Sequence, residues 1–391
     1  MSRPQLTILS LSTIHQDGRV LREIEYAARE YDVTVVGWGH LDKERPHVTM
    51  RPISPSVFPP SLRVAQVARM LGGRLAPALY ERWYWAMPGH AQALAHVIDA
   101  HPAIIHANDA MSLPIAISAA ERTGAKVLFD AHEYTPGQGT SSLKWRWMVT
   151  PFSIYLIRRY APRVDAMITV EKHIARRYGE EFGLKMSVIR NTPAYQKLPF
   201  RATHPARIRL IHHGRALRER RLELMIETIA LADARFSLDF MLVPDASGAL
   251  DQLKRLAQQR APDRIHFRQP VAPDAIAQTI NDYDIGLFLL PPVNLNYTMA
   301  LPNKFFEFIM AGLAVAIGPS PAMAALVRRY DLGVVAEDFA PETLARQLNA
   351  LSAHDIDAMK KRSLAAAREL NAETEMAKLL AIYKRLLATK H

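Results

Sequence analysis

The chain contains no cysteine. That absence excludes disulfides, thiolate metal sites, iron–sulfur clusters and cysteine nucleophiles together. Long apolar runs are also missing, since no uncharged stretch approaches the roughly 18 residues of a membrane-spanning helix. The first apolar run, Leu6–Leu11, is short, and Asp17 and Arg19 follow closely, so it does not read as a secretory leader. A cytoplasmic protein is the resulting expectation. No G-x-G-x-x-G, G-x-x-x-x-G-K-[ST] or H-E-x-x-H occurs, which removes the main support for a dehydrogenase, a P-loop ATPase or a zinc protease. The 15 histidines are scattered, and without cysteine they suggest no zinc site.

What is present describes an ordinary globular chain: 391 residues, 49% hydrophobic and 22% charged. At roughly 100–200 residues per domain, two domains are expected. Lys and Arg number 49 against 38 acidic residues, a net charge of +11. Such a surplus suits phosphate-bearing partners: nucleic acid, anionic lipid or a nucleotide. No compact basic-aromatic motif for nucleic acid accompanies it, so a nucleic-acid partner is not expected.

Short apolar runs alternate with amphipathic segments. Leu6–Ser10, Val33–Val36, Ile104–His106, Val127–Asp130 and Ala166–Val170 read as strands, with helices over Gly18–Glu30, Leu113–Glu121 and Glu171–Tyr178 between or after them. Residues 192–206 carry Pro193, Pro199 and Pro205 without periodicity and read as a linker. The alternation then restarts at Ile208–His212 and runs to a helical tail, Pro341–Leu387. The fold class expected is α/β: two doubly wound domains of parallel βαβ units, at 1–195 and 205–370, with ligands in the cleft between them at the carboxyl ends of the strands.

Three constellations sit at such strand ends. In Leu301-Pro-Asn-Lys-Phe-Phe-Glu-Phe308, Asn303 can cap a helix whose first turn holds Lys304. A cation there opposes the helix dipole by about 0.3–1 kcal/mol, which makes sense if an anion is bound at the helix N-terminus. Glu307, one turn on, is placed to accept ribose hydroxyls; alternatively Lys304 and Glu307 are an exposed i, i+3 pair. In His213-Gly-Arg-Ala-Leu-Arg-Glu-Arg-Arg221, Gly214 lets the backbone approach a ligand, and Arg215, Arg218, Arg220 and Arg221 offer bidentate phosphate contacts or a solvated basic loop. In Asp130-Ala-His-Glu133, His132 stands between two carboxylates. Asp109 and the Asp17-Gly18 pair occupy equivalent ends of neighbouring strands, where Asp also caps helices.

Taken together these residues resemble the retaining GT-B glycosyltransferases of family four, a large bacterial group that builds polysaccharides. Asp17–Glu23 (DGRVLRE), Ile105–Asp109 (IHAND) and Phe129–Glu133 (FDAHE) are similar to that family's first three cleft loops. Ile189–Pro193 is similar to its segment before the linker, Gly214–Arg220 to its diphosphate loop, and Pro302–Gly312 with Val315 to one branch's P-N-K block. Arg221 stands where Gly is usual and Ala314 where Pro is usual. The family's E-x7-E pair is half present: Glu307 matches the second glutamate, and Met299 replaces the first.

The resemblance implies transfer of a sugar from a nucleotide-diphosphate sugar to a glycan or lipid-linked acceptor, with retention of configuration and without a metal or other cofactor. It implies that Arg220 and Lys304 hold the diphosphate with Gly214, Arg215 and Asn303, that Glu307 binds the ribose, and that Asn296 and Tyr297 reach the sugar. His132 falls at the reacting centre, with Asp17, Gly18, Asp109 and Glu133 on the acceptor side. A final helix, about 371–391, is implied to pack back onto the first domain. An epimerase or hydrolase of the same fold, and an inactive nucleotide-binding scaffold, are the competing readings.

Residues 134–164 and 45–80 contain no Asp or Glu. The first stretch carries Lys144, Arg146, Arg158, Arg159 and Arg163 beside Trp145, Trp147, Phe152, Tyr155 and Tyr160. The second carries Arg45, Arg51, Arg63, Arg69 and Arg74. Basic residues beside aromatic ones suit an anionic membrane surface, so peripheral attachment to the inner face of the cell membrane is a further expectation.

Overall fold

The computed structural model describes residues 3–55, 63–139 and 142–388, without the side chain of Arg63. Two compact units emerge: Met1–Arg190 with Met376–His391, and Asn191–Glu375. The division thus falls at Arg190/Asn191, and the proline-bearing segment read as a linker belongs to the second unit.

The first unit is built on a seven-stranded sheet in the order β3-β2-β1-β4-β5-β6-β7. Its strands are β1 (Gln5–Thr13), β2 (Asp32–Trp38), β3 (Val48–Ile53), β4 (Ile104–Asn108), β5 (Lys126–Ala131), β6 (Ala166–Thr169) and β7 (Ser187–Val188). Every pairing is parallel, so all strands point their carboxyl ends to one edge. Helices cover such a sheet on both faces, and its central strands are accordingly buried and mostly apolar; Leu6, Ile8 and Leu9 are fully buried, with Thr7 and Ser10 buried among them. Asp17 caps the helix Gly18–Ala27 by accepting from the Val20 amide, and Glu171 caps Lys172–Phe182. Leu113–Thr123 ends on Gly124 in the left-handed region, φ 75°.

Strand β3 and the helices Ala78–Trp85 and His90–Asp99 were not foreseen. β3 is an edge strand, where Pro52 is tolerated and strict alternation is not enforced. The helix Ala372–Ala388 passes from the second unit into the first at Met376. There Tyr383 packs edge-on against Tyr31 and meets His106 Nδ1 at 2.6 Å. The tail is three helices, not one. The second, Ala353–Ala366, starts at a capping box between Ser352 and Asp355.

The second unit repeats the plan with six parallel strands in the order β10-β9-β8-β11-β12-β13. They are β8 (Ile208–Arg215), β9 (Phe236–Val243), β10 (Ile265–Arg268), β11 (Ile285–Phe288), β12 (Ala314–Ile317) and β13 (Gly333–Val335). In both sheets the strand order reverses beside the central strand, β1/β4 in one and β8/β11 in the other, and that reversal is where ligands bind in open α/β sheets.

Candidate functional site

In the first unit the ends of β4 and β5 and the first turns of Gly18–Ala27 bring together a buried set of charges. Arg19 lies 2.6 Å from Asp130 and 3.1 Å from Glu23, all three nearly or fully buried. A second Arg19 nitrogen donates to the Ile189 carbonyl at 3.0 Å. His106 Nε2 sits 3.7 Å from Asp130 and 3.9 Å from Glu23. His132 Nε2 is 2.9 Å from Asn108 Oδ1 and 3.4 Å from Asp130, and its Nδ1 is 3.8 Å from Asp109.

Burial disfavours a charge on His132, but the Asp109 and Asp130 carboxylates outweigh it and push the imidazole up to about 10. Burial likewise opposes ionisation of Asp130, yet Arg19 and then His132 hold its carboxyl well below the usual range. Glu23, with less compensation, is pushed by burial up to about 7. Glu23, His106 and Asp130 each bring one atom within 4.8 Å of the others, a spacing that would suit a cation. The Arg19 guanidinium already supplies that positive charge.

The acceptor-side residues are less alike than the sequence implied. Asp17 uses its carboxylate for the helix cap and for Ser12, and Gly18 is exposed at the same turn. Glu133 is exposed and bonded to Gln138. Asp109 is distinctive: its backbone stands at φ 64°, ψ 158°, a region nearly reserved for glycine. Strain of that kind concentrates at functional positions, which sets Asp109 apart from a capping Asp.

In the second unit β8 delivers His212, His213 and Gly214 to the start of the helix Asn303–Met310. Asn303 is not the cap; Pro302 is, without a side-chain cap bond, and Asn303 is the exposed first helical residue. Lys304 is buried, which overturns the exposed-pair alternative. Its Nζ lies 3.1 Å from His212 Nε2 and 4.6 Å from the Phe288 ring centroid. Gly214 has φ 124°, and a Cβ there would stand 2.8 Å from Lys304 Nζ and 3.4 Å from an Arg220 nitrogen. The glycine therefore leaves room for two basic side chains to converge at one strand end.

Burial, then Arg220, hold Lys304 well below the usual lysine range, with Glu307 opposing. Burial, Lys304 and Arg220 push His213 down to about 3. Its 3.3 Å approach to Glu307 is therefore a contact of a neutral ring with a carboxylate.

Of the four arginines, Arg218 donates to the Ser247 carbonyl and Arg221 pairs with Glu223, while Arg215 is exposed. Arg220 is the one beside Lys304. Arg221 takes φ 52°, ψ 44°, the left-handed conformation that glycine would adopt, so the turn survives the substitution. Asn296 and Tyr297 lie on a short helix, Leu295–Thr298, and the Tyr297 hydroxyl donates to Glu219 at 2.9 Å. Met299 is buried and offers no acceptor. His212 was missed by the sequence reading, although its place beside His213 at a strand end was the available signal.

Residues 24–194 match the family model of the glycosyl transferase 4-like domain. Curated protein sequences give no match. Among solved structures, the chain is similar to Anabaena HepE in complex with UDP and glucose (14% identity, 98% of this chain and 100% of that one, TM-score 0.68). It is also similar to sucrose-phosphate synthase from Thermosynechococcus elongatus (14%, 99% and 100%, 0.70). A Rickettsia africae glycosyltransferase matches at 14% identity over all of both chains, TM-score 0.69. At these identities the likeness establishes the fold. The segment matched by the family model lies almost wholly in the first unit, and the chain as a whole has the α/β GT-B fold of these solved structures.

Proposed function

We propose that the protein transfers a sugar from a nucleotide-diphosphate sugar to a glycan or lipid-linked acceptor, with retention of anomeric configuration. The observation that carries this reading is the convergence of Lys304 and Arg220 on Gly214. A guanidinium and a buried amine around an open backbone, at a helix N-terminus, match the size of a diphosphate and can meet its charge. Stabilisation of the leaving diphosphate by fixed cations and amides needs no metal. Glu307 takes the ribose hydroxyls, and the exposed Asn303 and Arg215 flank the phosphates. In the first unit His132, held as a cation by Asp109 and Asp130, serves the reacting sugar. The UDP complex of the Anabaena relative supports a nucleotide-sugar donor. Incubation with a panel of nucleotide sugars and a lipid-linked or oligosaccharide acceptor tests the reading. Transfer with the donor's anomeric configuration, read by NMR of the product, is expected. Net epimerisation or hydrolysis without transfer contradicts it.

A membrane-facing first unit is favoured by an exposed stripe. Val64, Val67, Leu71 and Leu75 lie on or just after the helix Arg63–Gly72, and Leu75 is 93% exposed. Leu143 and Trp147 are exposed nearby in sequence to Lys144 and Arg146, and Arg74 lies 4.9 Å over the Trp147 ring. The later aromatic side chains of the basic-aromatic stretch turn into the fold, while Arg158, Arg159 and Arg163 stay exposed. Phe152 and Tyr160 are buried, Tyr155 and Tyr160 donate to Glu81, and Arg163 pairs with Glu121. Arg45 pairs with Asp42 and Arg51 approaches Asp99. Residues 56–62 and 140–141 of the two acid-free stretches, and the Arg63 side chain, lie outside the described residues. Among the described residues no helix is long and apolar enough to cross a membrane. Sedimentation with anionic but not neutral liposomes, lost in Leu75→Asp/Trp147→Asp, is expected; equal behaviour on both lipids contradicts it.

A further inference from the structure

His212 is fully buried, and its Nδ1 lies 2.8 Å from the Leu287 carbonyl. A carbonyl only accepts, so Nδ1 carries the ring's hydrogen. In the neutral ring Nε2 is then a lone pair, and Lys304 donates to it at 3.1 Å. Burial, and then Lys304, hold the ring neutral, well below the usual histidine range. Among the described residues, the charged groups acting on Lys304 are Arg220 after β8 and Glu307 on its own helix, with His212 and His213 on β8 beside it. One acidic group thus faces a guanidinium, two neutral rings and a buried amine, lodged against Phe288 and Gly214.

We propose that Lys304 takes up a proton when the donor's diphosphate binds, and that His212 is the positioning residue that holds the amine at the phosphate position beforehand. This deepens the donor-site reading above and rests on it. The step balances simply: the neutral amine of Lys304 gains one proton from solvent and becomes an ammonium as two or more negative charges arrive. The burial that disfavours the ammonium in the free protein is then offset by the phosphate oxygens. Donor affinity consequently falls as pH rises, because the proton must be captured from a scarcer supply.

Calorimetric titration of the full chain with UDP and with GDP, in two buffers of different ionisation heat, measures the uptake. At about pH 8 a terminal phosphate, whose second ionisation is near 6, contributes little. A substantial fraction of one proton absorbed per nucleotide is expected. Lys304→Arg, whose guanidinium is always charged, should bind with almost no uptake. His212→Leu should weaken binding about tenfold for the lost hydrogen bond, and His212→Gln, which keeps an acceptor, should largely restore it. Binding heat with no buffer dependence in the wild type overturns the proposal, as does undiminished uptake in Lys304→Arg. Equal losses in the two His212 variants overturn its positioning role. Absence of binding by either nucleotide overturns the diphosphate reading itself, and this one with it.

Discussion

The two units present the same strand order and the same kind of strand end, yet they treat charge in opposite ways. In the first, Arg19 is enclosed by Glu23 and Asp130, and His132 by Asp109 and Asp130, so the buried ions compensate one another. In the second, Lys304 and Arg220 converge beside two histidines held neutral, with Glu307 as the acidic member. A self-neutralised cluster is a rigid platform that fixes the geometry of groups at its surface. A basic cluster short of negative charge has its amine's charged form disfavoured by burial and by its neighbours, and an anion would reverse that. That contrast is the reason for proposing the second unit's sheet edge as the phosphate site.

Four experiments break or sharpen that contrast. The largest effect is on folding. Asp130→Ala removes one partner of a buried pair and should cost the first unit about 3–5 kcal/mol in chemical denaturation. Lys304→Met replaces a buried amine whose charged form is disfavoured by burial and by Arg220 with an apolar chain of similar length, and should leave the second unit's stability unchanged or raised. If both variants are equally destabilised, the two sites are not opposites.

Next is turnover. Lys304→Ala or Arg220→Ala removes a charge-assisted contact of about 1.5–3 kcal/mol, which lowers kcat/KM by roughly ten- to a hundredfold. Glu307→Gln, acting through ribose hydroxyls, should raise donor KM more than it lowers kcat. Near-wild-type kcat/KM in both cation variants would misplace the donor site.

The third experiment reads pH. His132 is raised in the fold to about 10 from its ordinary value. Its contribution to stability is complete below an ordinary histidine's pKa of about 6.5 and disappears as pH rises through about 10. His213 is lowered to about 3. It is buried neutral, so its environment costs stability as pH falls from about 6.5 toward 3. The stability difference between wild type and His132→Asn should therefore shrink on the alkaline side, and that for His213→Asn should change on the acid side. The same pH window for both would contradict the opposite electrostatics. The smallest effect is at Arg221, where a left-handed backbone costs an ordinary residue about 1–2 kcal/mol and glycine's chain entropy returns about half of that. Arg221→Gly should raise stability by at most about 1 kcal/mol, and a clear loss would show that the Arg221–Glu223 pair outweighs the strain.

The parallel βαβ alternation was legible because central strands are buried on both faces and leave predominantly apolar runs, as at Leu6–Leu9, broken by Thr7 alone, and Leu238–Leu242, broken by Asp239 alone. The edge strand Val48–Ile53 was not, because an edge lacks that constraint. Gly214, Lys304 and Glu307 could be placed from local spacing, since a turn glycine and a first-turn cation carry their own physical reasons. The partners of Arg19 could not: Asp130 is 111 residues away and joins it only through the parallel register of β1, β4 and β5. Burial of Lys304 was also hidden, because the sequence shows its neighbours along the helix and not His212 across the strand end.

The central claim is that the second unit's strand end is a diphosphate site short of negative charge. Binding isotherms for UDP and GDP beside those for uridine and guanosine test it most directly, in wild type and Lys304→Ala. The account predicts that one diphosphate binds at least tenfold more tightly than its nucleoside, and that Lys304→Ala removes most of the difference. A nucleoside that binds as tightly as its diphosphate, or an advantage that survives Lys304→Ala intact, would contradict it.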